Sequence, residues 1–112
     1  MIYYSLITGA AGLLGKYHAK ALLDINHNVV LTDLQIHKLK VVEKKLKKNY
    51  PNKKILSYEM DVTSENSIIE VNKKIKNTNG IVYNLINNAA IDAKIKGSKN
   101  KLFENFHLEE WN

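Results

Sequence analysis

The stretch TGAAGLLG at residues 8–15 sets glycines at 9, 12 and 15 between an apolar run and a helical pattern. The run before it, YYSLIT at 3–8, has a β-branched end and is bounded by glycine, which predicts a buried strand. After it, LLGKYHAKALLDIN at 13–26 places Leu14, Ala21, Leu22 and Ile25 at helical spacing. A strand that turns through glycines directly into a helix has a known physical use. Gly9 can take the sharp turn that ends the strand. Gly12 lets main-chain N–H groups approach a pyrophosphate with no side chain between. Gly15 lets the helix pack closely on the strand. The helix start adds unpaired N–H donors and partial positive charge, and no acidic residue stands there to neutralise it.

The same alternation continues along the chain. NVVLTD (28–33) reads as a second strand. LQIHKLKVVEKKLKKN (34–49) is helical, with Leu34, Leu39, Val42 and Leu46 on one face, and it ends at Tyr50-Pro51. KILSYEMDV (54–62) is a third strand. TSENSIIEVNKKIKN (63–77) is a helix with Thr63 or Ser64 as N-cap. GIVYNLINNAA (80–90) is a fourth strand, and HLEEWN at 107–112 begins another helix. The predicted fold is therefore α/β, a Rossmann-type doubly wound parallel sheet. Its order is β-α-β-α-β-α-β with right-handed crossovers. Strands one, two and four are nearly all apolar, as expected when both sheet faces are covered.

Asp33 ends the second strand, about 20 residues past the glycine turn, where a carboxylate accepts hydrogen bonds from an adenosine ribose. It would repel a 2′-phosphate, so NAD is expected in preference to NADP. The competing reading of Asp33 is an N-cap for the helix that follows.

These residues together resemble the N-terminal part of a short-chain dehydrogenase/reductase. TGAAGLLG (8–15), Asp33, DV at 61–62 and NNAA at 87–90 occur in the family's order and spacing. The resemblance implies a strand order of 3-2-1-4 for this half of the sheet. It implies adenine contacts from Asp61 and Val62, and a cofactor cleft lined by Asn88, Ala89 and Ala90, with Ala90 standing where the family has glycine. The candidate cofactor-binding residues are thus Gly9, Gly12, Leu13, Leu14, Gly15, Asp33, Asp61, Val62, Asn88, Ala89 and Ala90. The spacing TGxxGxxG is more typical of the family's extended branch, whereas DVT and NNAA point to the shorter branch. The phrase AGLLGKYHAKAL also resembles dehydrogenases of flagellin or surface-sugar biosynthesis.

The family's serine and Tyr-x-x-x-Lys pair are expected beyond Asn112, so no catalytic residue is assigned. Residues 1–112 are read as an incomplete NAD(P)-binding domain, a cofactor-binding fragment of an NAD(P)-dependent oxidoreductase. The alternative is a non-catalytic NAD-binding module or a split subunit. Its fourth strand would be an exposed apolar edge, open to a second chain or to self-association, which predicts marginal stability. Tyr50 and Lys54 match Tyr-x-x-x-Lys in form only, because Pro51 breaks the helix such a pair needs. The histidines at 18, 27, 37 and 107 lack ligand spacing, so no metal is expected, and surface or helix-face positions are. Trp111 is read as a packing residue.

The net charge of +6 comes from 17 lysines and no arginine. Nucleic-acid readers lean on arginine's planar fork, so the lysine runs are read as solvated helix faces and no nucleic-acid partner is expected. There is no cysteine. No apolar run reaches the roughly 20 residues of a membrane span, and the N-terminus lacks a signal-peptide pattern. A cytoplasmic setting is the expectation.

Overall fold

A computed structural model describes residues 1–89. Four strands, β1 (Ile2–Ile7), β2 (Asn28–Asp33), β3 (Ile55–Glu59) and β4 (Gly80–Ile86), alternate with helices α1 (Leu13–Asp24), α2 (Ile36–Asn49) and α3 (Glu65–Asn77). The strands form one parallel sheet in the order β3-β2-β1-β4.

Alternate strand residues feed two cores, one on each face. Tyr4, Leu6, Val30 and Val82 pack with Ile68, Val71 and Ile75 of α3. Ile7, Val29, Leu31 and Ile55 pack with Ala19 and Leu23 of α1 and with Leu39, Val42 and Leu46 of α2. Both sides of each pleat are therefore buried, the physical reason the strands are apolar without alternation. Among the described residues no strand pairs with the outer edge of β4.

Local chemistry sets the helix limits. Ser64 caps α3 by accepting from the Ser67 amide at 3.2 Å, which settles the choice between Thr63 and Ser64. Lys74 and Lys76 lie in its last turn, where positive charge is favoured. Asn26 and Asn79 take left-handed φ values of 76° and 61° just beyond α1 and α3. Behind α1, the His27 amide reaches Leu22 O and the Asn26 amide reaches Leu23 O, a Schellman closure.

Several sequence-based expectations are corrected. The buried face of α1 is Gly15, Ala19 and Leu23, with Leu22 half-buried against the same core as expected, whereas Leu14, Ala21 and Ile25 are exposed. Close approach to the sheet selects the small residues, and bulk alone misleads. Helix α2 begins at Ile36, which leaves Leu34 exposed outside it. Strands β3 and β4 end at Glu59 and Ile86, short of 62 and 90, because the chain leaves the sheet to build a cleft. Ala90, His107, Trp111 and the segment HLEEWN lie outside the described residues.

Candidate dinucleotide cleft

The C-terminal ends of the four strands open onto a cleft of about 520 Å³, within the usual range for small-molecule sites. It lies where strand order reverses, with β1 flanked by β2 on one side and β4 on the other. Gly9, Gly12, Leu13, Leu14, Asp33, Asp61, Val62, Asn88 and Ala89 line it. Gly15 does not.

The three glycines stand for different reasons. Gly9 has φ +64°, and a Cβ there would lie 3.0 Å from Ala89 Cα. Gly15 faces the turn from inside α1, where a Cβ would sit 2.3 Å from Gly9 O. Gly12 has an ordinary extended backbone (φ −79°, ψ 173°), and a Cβ would meet only Gly9 O, at 3.4 Å, among the described residues. Nothing in the described fold forbids a side chain at 12; the space it would fill belongs to the cleft. Gly12 is also the N-cap of α1, without a side-chain cap or an acidic residue in the first turn. The first helical hydrogen bond runs from the Lys16 amide to Gly12 O, so the amides of Leu13, Leu14 and Gly15 precede it.

The turn is tied to its neighbours. The Ala10 amide donates to Thr32 O at 2.9 Å, and the Thr32 hydroxyl donates to Ile7 O at 2.9 Å. The Asp33 carboxylate accepts from the Ala11 amide at 3.0 Å through Oδ2 and from the Gln35 amide at 2.8 Å through Oδ1. The N-cap of α2 is Gln35, not Asp33. Asp33, which borders the cleft, instead joins the glycine turn to the start of α2, and a carboxylate oxygen that accepts one hydrogen bond can accept another.

The wall opposite is held by Thr8, which is wholly buried. Its hydroxyl oxygen accepts from the amides of Asn88 at 2.8 Å and Ala89 at 2.9 Å. The Asn88 side-chain amide donates to Gly9 O at 3.3 Å. On the β3 side, the Met60 amide donates to Asp33 O. Asp61 Oδ1 accepts from the Thr63 amide and hydroxyl at 2.9 and 2.6 Å, which turns the chain into α3.

Sequence reasoning missed Leu34, Gln35, Met60 and Thr63 on the cleft wall and Thr8 behind it. The short Asp61-x-Thr63 spacing and the position of Thr8 before Gly9 were the available signals. His27, expected at the surface, is half-buried and bonded to Ser5 Oγ at 2.8 Å. Tyr50 is the C-cap of α2, and its hydroxyl donates to Asp24 at 2.5 Å. That hydrogen bond raises the phenol pKa, the opposite of an activated tyrosine. Among the described residues no three His, Cys, Asp or Glu side chains gather to hold a metal, and no helix is long and apolar enough to cross a membrane.

The sequence matches the short chain dehydrogenase family over residues 4–112. Among solved structures, a Haemophilus influenza protein described as a D-mannonate oxidoreductase, with bound NAD, is 31% identical with TM-score 0.71. The match covers 80% of this chain and 31% of that one. An alcohol dehydrogenase from Thermococcus sibiricus, complexed with 5-hydroxy-NADP, is 22% identical with TM-score 0.68 over 76% of this chain and 36% of its own. A ketone-specific alcohol dehydrogenase from Comamonas testosteroni is 19% identical with TM-score 0.72 over 91% and 46%. The last two likenesses show the fold. The chain spans less than half the length of each of these structures. No curated protein matches the sequence.

Proposed function

The chain belongs to the short-chain dehydrogenase family, and from that premise we propose that its cleft holds the adenosine and pyrophosphate half of a nicotinamide dinucleotide, as part of an NAD(P)-dependent oxidoreductase. The observation that carries this is Gly12. Its lack of a side chain answers to no neighbour in the described fold, and it keeps the amides at the start of α1 open to the cleft.

In this reading the amides of Leu13 and Leu14 take pyrophosphate oxygens. Asp33 accepts from the adenosine ribose, Asp61 and Val62 border the adenine, and Asn88 and Ala89 line the path toward the nicotinamide. When bound, the nicotinamide accepts or returns a hydride. None of the described residues is assigned a part in that transfer. The negative charge of Asp33 supports NAD over NADP; the solved relatives include one bound to NAD and one to an NADP derivative. Residues 1–112 would form the cofactor half of a larger dinucleotide domain. The outer edge of β4 is then where further strands add, from a second chain if this one is a split subunit. A flagellin or surface-sugar pathway draws no support from the cleft.

Calorimetric titration of the chain with NAD and NADP tests the proposal. Saturable binding of NAD, about tenfold tighter than NADP, is the expected result. Absence of binding by either dinucleotide overturns it.

A further inference from the structure

A second concavity lies at the other end of the sheet, beside the start of β1 and β2. It is a shallow depression of about 480 Å³ bordered by Tyr3, His27, Tyr83, Lys53 and Lys54. Three observations set it apart from a plain solvated surface.

The first is a bulge. Val82 pairs with Tyr4 and Asn84 with Ser5, so Tyr83 is an extra residue in β4. Bulges re-aim side chains. Here the Tyr83 ring meets Tyr3 edge-on, with centroids 5.9 Å apart at 89°, and lies 5.7 Å from the His27 ring. Tyr3 and Tyr83 nonetheless remain 55% and 44% exposed. Packing two tyrosines and a histidine together while leaving both tyrosine rings open offers a stacking platform.

The second is the way His27 is fixed. The Asn84 amide donates to Ser5 Oγ at 3.3 Å, and Ser5 is wholly buried. Ser5 Oγ lies 2.8 Å from His27 Nδ1, and the Tyr83 hydroxyl lies 3.2 Å from Nδ1 and 3.4 Å from Nε2. These contacts, one of them to a wholly buried hydroxyl, hold a ring that borders the depression.

The third is charge. Lys53 and Lys54 border the depression, and among the described residues no carboxylate does. Asn26 Oδ1 accepts from Lys53 Nζ, and Asn28 Oδ1 accepts from the Lys54 amide at 2.9 Å. The first bond ties the Lys53 ammonium to the rim and the second ties the Lys54 backbone, and an ammonium has three donors to offer.

We propose that this depression binds a small anion carrying a flat ring, an aromatic carboxylate or aryl phosphate. The ring packs on Tyr3 and Tyr83, and the anionic group meets Lys53 and Lys54. The site is separate from the dinucleotide cleft and does not depend on that reading. NMR titration of the full chain with phenyl phosphate, in the presence of NAD, tests it, with inorganic phosphate and benzoate as parallel probes. Saturable shifts at Tyr3, His27 and Tyr83 are expected, with a Kd on the order of 1 mM. Tyr3→Ala or Lys54→Ala, at exposed positions, is expected to weaken binding about fivefold. Benzoate acting on the same residues assigns an aromatic carboxylate; response to phenyl phosphate alone assigns an aryl phosphate. Shifts equal to those of inorganic phosphate, shifts only around Gly12 and Asp33, or no saturation at millimolar ligand overturns the proposal.

Discussion

The carboxylate of Asp33 accepts a hydrogen bond from the Ala11 amide at 3.0 Å, so the residue at the end of β2 holds the glycine turn at the end of β1. Its second oxygen accepts from the Gln35 amide at 2.8 Å. Asp33→Asn cannot serve both amides, because one of its two polar atoms becomes a donor. The variant is expected to lose about 1–2 kcal/mol of stability and to exchange the Ala11 amide faster. Denaturant titration and hydrogen exchange measure these two effects. In the same variant the proposed preference for NAD over NADP narrows, since the repelling charge is gone.

Gly15→Ala puts a methyl group 2.3 Å from Gly9 O and 2.6 Å from Ala10 Cα, both backbone atoms. Neither can swing away, so the helix must move off the turn. A loss of about 3 kcal/mol or more is expected from such overpacking, read as a large fall in the thermal midpoint. A midpoint unchanged from the parent chain would contradict the close contact between α1 and the turn at Gly9 and Ala10.

Ser64 is the one helix N-cap residue in the described fold with a side-chain cap bond. Ser64→Ala is expected to cost about 1 kcal/mol. Thr63→Ala removes a different bond, to Asp61, so the two changes separate the capping of α3 from the turn that precedes it.

Glu43 of α2 accepts from Ser57 Oγ at 2.7 Å and pairs with Lys47 at 3.2 Å and Lys40 at 3.4 Å. Burial raises its pKa, but the hydrogen bonds from Ser57 and Lys47 and the lysine charges outweigh burial, and the net pKa is lowered. A depressed carboxyl stabilises the fold above its unfolded pKa, and the contribution is lost as pH falls through the folded value. Glu43→Gln should therefore cost about 1 kcal/mol at pH 7, with the gap from the parent chain closing below about pH 4. A gap that widens on acidification would reverse the assigned sign.

Much of the frame was legible because its determinants are local. Apolar strands alternating with amphipathic helices give the parallel sheet. The glycine turn followed by Asp33 marks where the strand ends converge. What escaped depends on contacts between distant segments. The inward face of α1 follows from the room Gly15 needs against Gly9, which outweighs the larger apolar side chains at 14 and 25. The bulge at Tyr83 adds one residue to an apolar run and leaves no break in its pattern. The departure of Met60, Asp61 and Val62 from β3 was hidden because Met60 and Val62 are as apolar as the strand before them. Asp33 was read as ribose ligand or helix cap; its bond to Ala11 joins segments 22 residues apart and has no signature along the chain.

In the proposed function Gly12 is glycine for the sake of a bound dinucleotide and not for the fold. Paired measurements on Gly12→Ala test it most directly: stability by denaturant titration and NAD affinity by calorimetry. A stability change within about 1 kcal/mol, the scale of an N-cap substitution, is expected together with at least about a tenfold loss of NAD affinity. Unchanged affinity in a folded variant would contradict it.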